Sequence, residues 1–363
     1  MEAFYALVDN LSGFIWGGTW NGTSILPPYA SPMVVLLLGT GLFFMVALGF
    51  RPLKRLFPAF GELWAGRKAK TGAEGEITPW QALSTALSGQ VGTGNLAGVA
   101  TAITLGGPGA IFWMWFTALF GMAADFAESS LAVKYRETHA DGHVHGGPMY
   151  YIKNGLGKGW GWLAVLFCIG TLFSAAASGG MIQANSITQS VVESGRTINL
   201  SIPSWSIGLV LAGLVFAVII GGIKSIGSVA GKVVPFMALA YVLAALVVLI
   251  LHASEIPEAF RLIFAHAFGL EQAAGGMAGY AVMSAIRYGV ARGLFSNEAG
   301  QGSAPIAHAA AKTQEPAKQG EIAMIGVFID TIIICTMTAL VLLTVTGDFK
   351  RNPAREMAEA CMS

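Results

Sequence analysis

ALSGQVGTGNLAGVA, residues 86–100, lies inside a long apolar segment, yet it sets Gly89, Gly92, Gly94 and Gly98 among Ser88, Gln90, Thr93 and Asn95. Each glycine costs a helix about 1 kcal/mol relative to alanine, so a continuous helix is weak across this stretch. An interruption frees backbone N–H and C=O groups. At membrane depth such groups persist only where they are buried in protein or line a wet cavity. The stretch therefore reads either as a broken helix that gathers polar groups around a solute, or as a small-residue face on which two helices approach closely.

Composition settles the setting. The chain has 363 residues, of which 54% are hydrophobic and only 11% charged, with a mean hydropathy of +0.63. A soluble domain carries about 25% charged residues, and several apolar runs here exceed the roughly 18 residues that mark a membrane span. The fold class expected is an all-α polytopic membrane protein. A net charge of +1 gives no electrostatic footprint for nucleic acid. Cys168, Cys335 and Cys361 lie far apart and form no CxxC, so neither a disulfide framework nor a metal motif is indicated. The start, MEAFYALVDNLSGFIW, lacks a basic n-region and does not read as a cleaved signal peptide.

Spans are expected at 31–50, 78–105, 109–133, 161–190, 205–222, 230–251, 276–311 and 321–346. A short amphipathic helix is expected over 3–17 and another over 255–268. With the N-terminus placed outside, alternating loops assign Arg51, Lys54, Arg55, Arg67, Lys68 and Lys70 to the inner side. The same side receives Lys134, Arg136, Lys153, Lys158, Lys224, Lys232, Lys312 and Lys318. That asymmetry fits the positive-inside rule. Lys350, Arg351 and Arg355 of the tail fall outside by parity and break the pattern.

The segment 276–311 carries a second interruption. Residues 291–306, ARGLFSNEAGQGSAPI, place Gly293, Gly300, Gly302 and Pro305 around Ser296, Asn297 and Glu298. Each interrupted span thus has an asparagine at its break, and the two spans cross in opposite directions. Paired broken helices in corresponding positions of two inverted halves are the sequence pointer to a secondary transporter's substrate site. N–H groups freed at a half-helix N-terminus attract a carboxylate, and freed carbonyls attract an ammonium group or a cation. Gln90, Thr93, Asn95, Ser296 and Asn297 add neutral hydrogen-bonding groups without the cost of a buried charge. This combination suits a small zwitterion.

Together with GTGNLAG at 92–98 and RGLFSNEAGQGSAPIA at 292–307, the motifs GGPMYYI (146–152), GGMIQANSI (179–187) and GVFIDT (326–331) resemble the alanine or glycine:cation (sodium) symporter family. That family lies within the amino-acid–polyamine–organocation superfamily. The resemblance runs from about residue 30 to 346 and implies a five-plus-five inverted-repeat symporter fold preceded by one extra N-terminal span. It implies import of alanine, glycine, D-alanine or a similar small neutral amino acid with Na+ by alternating access. It also implies a multi-pass location in the prokaryotic plasma (inner) membrane, where the lysine and arginine placement puts the N-terminus outside. No cofactor and no catalytic residue is implied; the partners are the amino acid, Na+ and the lipid bilayer.

Carried onto this chain, the resemblance makes Gln90–Asn95 the unwound part of the first core helix. Amides near Thr93, Gly94 and Asn95 would face the carboxylate, and Phe295, Ser296 and Asn297 would face the amine. Gln183 would add to the pocket. The backbone carbonyls of Ser88 and Val91 would be Na+ ligands, with further ligands from the eighth core span. The expected organisation is an extra span and basic loop in 1–77, a first five-span repeat in 78–252, two spans of the second repeat in 276–346, and an atypical polar tail in 347–363. A second repeat as long as the first would run well past residue 363, so the reading expects truncation after about eight spans and an incomplete sodium site.

Several charged residues carry two readings each. Asp125 and Glu128, at i and i+3 on one face, read as an interfacial ion network with Lys134 and Arg136 or as a proton relay. Asp330 reads as a structural hydrogen-bonding group or a gate. Arg287 and Arg292 read as partners of Glu298 or of another span, or as an outer gate. His139, His143 and His145 cluster without the spacing of a zinc site, and His252, His266 and His308 read as interfacial or packing residues. The alternatives to the sodium-coupled reading are a proton-coupled amino-acid transporter using Asp125 or Asp330, and a channel-like or non-transporting membrane protein.

Overall fold

Proline and capping signals set the helix starts. In a computed structural model, residues 2–26, 31–67, 74–140, 142–269 and 276–345 are described. Helix α1 spans Glu2–Gly17, and α2 spans Pro32–Ala47 with proline in its first turn. Left-handed Phe50 then turns the chain through 78° into α3, Arg51–Ala65. Pro52, Leu56, Ala59 and Leu63 bury one face of α3. Its Arg51 and Arg55 reach the carboxylate of Glu321, which is fully buried.

Helix α4 (Pro79–Gln90) begins with a capping box between Thr78 and Gln81. It is followed by a π-helical turn over Gly94–Gly98 and then by α5 (Val99–Gly106). The long α6 (Ala110–Lys134) forms the centre of the molecule. Short α7 (Pro148–Tyr151) leads to α8 (Gly161–Ser174), which continues through a π-helical segment into α9 (Gln183–Thr197). Then come α10 (Ser204–Ile219), α11 (Gly222–Leu251) and α12 (Ile256–Ala267). Next are α13 (Gly276–Asn297) and α14 (Ala304–Ala309). Last are α15 (Pro316–Val327), a π-helical segment over Phe328–Cys335, and α16 (Thr336–Val345).

Four helices are long and apolar enough to cross a bilayer among the described residues, or five if the bent α2–α3 pair is one span. The chain is a multi-pass, all-α membrane protein. The first interrupted span is split into α4 and α5, both short, and α10 is only 16 residues long, whereas α13 is long enough at 22 residues but carries Arg287 and Arg292 and is less apolar. The expected span at 161–190 extends to Thr197, and the one at 230–251 starts at Gly222. The tail 347–363, with its outer-side lysine and arginines, lies outside the described residues, as do Lys68 and Lys70.

Helices α13 and α15 both pack extensively against α6, and α2 and α14 also contact it. Leu83, Leu87, Met122, Phe126, Met324 and Ile325 form one apolar core. Ile103, Ile111, Met114, Ile263 and Leu340 form another. On the outside, Leu172, Phe173, Leu209, Phe216, Phe236 and Ile250 are exposed side chains for a bilayer to cover. The approach of α13 to α6 depends on Gly289, where an added Cβ would stand 2.7 Å from the Cβ of Trp113. Gly289→Val should therefore overpack this contact by about 1–3 kcal/mol. The check is the apparent melting temperature of the purified protein in detergent, and an unchanged value would contradict the contact.

One end of the bundle is closed by polar latches. Arg136 donates to the carbonyls of Ala309, Ala311 and Thr313. Glu76 accepts from the Val144 N–H at 2.9 Å and lies 3.1 Å from His143 Nδ1 and 3.8 Å from Lys224 Nζ. Burial opposes ionisation of Glu76, but the Val144 amide, His143 and Lys224 outweigh it and hold the carboxyl below its ordinary value of 4.5. The stability it contributes is therefore present above that value and lost as pH falls through the lower, folded one. Glu76→Gln should lower the melting temperature at neutral pH, and the gap to wild type should close on acidification below 4.5. A gap independent of pH would sink this account.

Candidate functional site

The first break forms because side chains take the amides that helix α4 would use. Val91 is extended, with ψ of 108°. The Gly92 N–H donates to Asn95 Oδ1 at 2.8 Å, and the Thr93 N–H donates to Gln183 Oε1 at 3.2 Å. The Asn95 N–H turns back to the Gly92 carbonyl at 3.2 Å. In a continuous helix these three amides would have served the carbonyls of Ser88, Gly89 and Val91. Those carbonyls lose their helical donors and keep their partial negative charge at a helix C-terminus.

The second break is shaped by left-handed backbone. Helix α13 ends at Asn297, Glu298 takes φ of 54°, and Gly300 and Gly302 both take φ of 84° before α14 begins. Glycine adopts that region without the clash an L side chain meets. Asn297 Oδ1 accepts from the Ala299 N–H at 3.1 Å, and Ser303 Oγ donates to Glu298 Oε2. From α6, the buried Glu128 Oε1 lies 3.9 Å from where an added Cβ on Gly300 would stand and has no hydrogen-bond partner.

The two breaks meet directly. An added Cβ on Gly94 would sit 3.3 Å from Ser296 Cα and 3.5 Å from Phe295 Cδ1. Gln90 Nε2 donates to the Asn297 carbonyl at 2.9 Å. Asn95 Nδ2 lies 3.0 Å from Ser296 Oγ and 2.6 Å from Asp330 Oδ1. Ser296 Oγ donates to Asp330 Oδ2 at 2.8 Å, as does Thr331 Oγ1. Asn297 Nδ2 donates to Thr331 Oγ1 at 3.2 Å. Cys335 Sγ lies against both Asn95 and Ser296. Gln90, Asn95, Ser296, Asn297 and Asp330 are each at most 3% exposed, so water cannot replace these bonds. Gln90 Oε1 and Thr93 Oγ1 are buried without a hydrogen-bond partner, which leaves two free polar atoms at the first break.

Gln90, Thr93, Gly94, Asn95, Phe295, Ser296 and Asn297 are therefore brought together, and Gln183 reaches them through the Thr93 amide. The expectation for Ser88 and Val91 concerns their main-chain carbonyls; the Ser88 side chain itself is exposed and bonds the Thr85 carbonyl at 2.6 Å. Asp330, Thr331 and Cys335 were absent from the expected site. The available signal was one carboxylate inside the apolar run GVFIDT, where an unpartnered charge is too costly to be incidental.

Two further expectations change. Asp125 and Glu128 form no ion network with Lys134 and Arg136. Arg136 is held by carbonyls, Lys134 lies over the Tyr135 ring at 5.3 Å, and Asp125 accepts from Ser129 at 3.2 Å. Glu298 is bonded to Ser303 rather than to Arg287 or Arg292, which stack on Tyr288 and Phe295. Among the described residues the histidines form no metal cluster; His143 pairs with Glu76, and buried His308 meets Gln319 at 2.6 Å.

The sequence matches the model of the sodium:alanine symporter family over residues 22–362. It is 47% identical to the sodium/alanine symporter AgcS of Methanococcus maripaludis, covering 95% of this chain and 71% of that protein. It is 41% identical to the putative sodium/proton-dependent alanine carrier protein YrbD of Bacillus subtilis, over 90% of this chain and 64% of that one. It is 40% identical to the probable sodium/glutamine symporter GlnT of Bacillus subtilis, over 86% of this chain and 62% of that one.

Proposed function

The chain belongs to the sodium:alanine symporter family, and from that premise we propose that it imports a small neutral amino acid with Na+ by alternating access. Its family consists of transporters rather than enzymes. The observation that carries the reading is the junction of the two breaks through Asn95, Ser296 and Asp330. A solute bound there touches both interrupted helices at once, so its arrival and departure bias how the two halves lie against each other.

In this reading Gln90, Thr93, Gly94, Asn95 and Gln183 receive the solute's carboxylate side. Gln183 Oε1 accepts the Thr93 N–H at 3.2 Å, the bond a carboxylate oxygen takes over. Phe295, Ser296 and Asn297 face the amine and close the pocket, and the tight contact at Gly94 favours a small side chain. Na+ sits on the carbonyls of Ser88 and Val91, which have lost their helical donors. Each break is followed by a long helix, α6 after the first and α15–α16 after the second. This parallel supports an inverted repeat with 78–252 as the first half, 276–346 within the second, 1–77 ahead of both and 347–363 beyond. The N-terminus is placed outside, in a prokaryotic inner membrane, by the lysine and arginine asymmetry.

The test is radiolabelled alanine in proteoliposomes carrying the purified chain. Accumulation should require an inward Na+ gradient, and equilibrium binding of alanine should strengthen with Na+. Uptake or binding indifferent to Na+ would refute the coupling. A second reading, favoured by the buried carboxylate of Asp330 at the junction, puts a proton on that group in place of the sodium ion. Uptake driven by a pH gradient in sodium-free buffer, and lost in Asp330→Asn, would select it.

A further inference from the structure

We propose that a cavity adjoining the second break, lined by Arg287 and Arg292 and bordered by Phe295, Ala299 and Gly300, binds a carboxylate anion. The cavity measures about 560 Å³. Trp16 of α1 and Met33 and Leu37 of α2 supply apolar walls, and Arg287, Arg292 and Phe295 come from α13. Its size falls within the range of small-molecule sites, roughly 300–1,000 Å³. Asn95, Ser296, Asn297 and Asp330 do not line it.

Its electrostatics are one-sided. No aspartate or glutamate lines the cavity, and among the described residues neither arginine has a carboxylate partner. The nearest acid in sequence, Glu298, is bonded to Ser303. Arg287 lies 5.3 Å from the Tyr288 ring centroid and Arg292 lies 5.9 Å from that of Phe295. Stacking on a ring occupies a guanidinium's face and leaves its edge N–H donors free. Two such forks in an apolar enclosure match the planar, bidentate geometry of a carboxylate. Taking guanidinium groups out of water without a counter-charge is costly, and an anionic ligand removes that cost.

Position adds to the case. Phe295 borders the cavity and also lies 3.5 Å from the point where a Gly94 Cβ would stand, so one aromatic ring separates the cavity from the junction. Helix α1 closes another side. An added Cβ on Gly17 would come within 2.8 Å of the Arg287 Cζ. The carboxylate comes from one of two sources, the transported amino acid or a separate organic acid. Only the first source rests on the transport reading; the anion site itself does not.

The experiment is calorimetric titration of the purified full chain in nanodiscs with sodium propionate, with propylammonium chloride as the cationic control. Saturable propionate binding is expected, weakened at least about ten-fold in R287Q/R292Q. R287K/R292K should keep part of the affinity, and Gly17→Val should weaken it while leaving both charges in place. Equal propionate affinity in wild type and the double glutamine variant overturns the proposal. So does propionate heat no different from that of propylammonium. Competition by alanine in Asn95→Leu, where the junction is disabled, identifies the transported solute as the source. Propionate binding that alanine leaves untouched supports the site with a separate organic acid as its ligand.

Discussion

Asp330→Ala abolishes sodium-driven amino-acid uptake while leaving the chain in the membrane. The carboxylate accepts from Asn95 at 2.6 Å and from Ser296 and Thr331 at 2.8 Å each. Alanine leaves those donors facing an apolar void, and a buried hydrogen bond to a charged group is worth about 1.5–3 kcal/mol. Loss of even the larger single value lowers affinity about a hundredfold. Because Asn95 belongs to the first break and Ser296 to the second, the two lose their common anchor together. The measurement is alanine binding and uptake beside a thermal melt. A melt that falls while binding per folded molecule stays intact would assign Asp330 to stability alone. Asp330→Asn keeps the shape and one acceptor but removes the charge, so partial binding with lost coupling is expected there.

Gly94→Val gives the second large effect. A Cβ at this position already stands 3.3 Å from Ser296 Cα, closer than most natural contacts, and two further methyl groups have no room. The breaks must separate, which stretches the bonds from Asn95 to Ser296 and from Gln90 to Asn297. Overpacking of this kind costs about 1–3 kcal/mol, and alanine affinity should fall about ten- to a hundredfold. Gly94→Ala should lose much less, since a shift of a few tenths of an ångström accommodates one methyl. Gly39→Val is the control: that position has nothing within 4 Å. Equal effects at Gly39 and Gly94 would remove the junction from the explanation.

Helix positions were legible because their causes are local. Thr78-Pro79 with Gln81 announces the start of α4, Gly107-Pro108 announces the turn before α6, and four glycines in 89–98 announce the break. Gly300 and Gly302 likewise carry in their residue type the left-handed backbone they adopt. The partners of charged groups were not legible. Asp125, Glu128, Lys134 and Arg136 are close in sequence and looked like one network. Arg136 instead finds carbonyls more than 170 residues away, at Ala309, Ala311 and Thr313. A desolvated charge takes whichever complementary group packing delivers, and sequence spacing does not encode that delivery.

By itself, then, the sequence determined a multi-pass all-α chain with two interrupted helices, because glycine content, apolar length and capping act within a few residues. Its motifs also carried the family. Only the tertiary structure decided that the interruptions touch, that Asp330 and Cys335 join them, and that Arg287 and Arg292 share a cavity without a carboxylate. Those facts depend on α4, α13 and the 328–335 segment crossing at one point. Such a crossing is set by the sum of many weak packing contacts along α6, and no single residue records it.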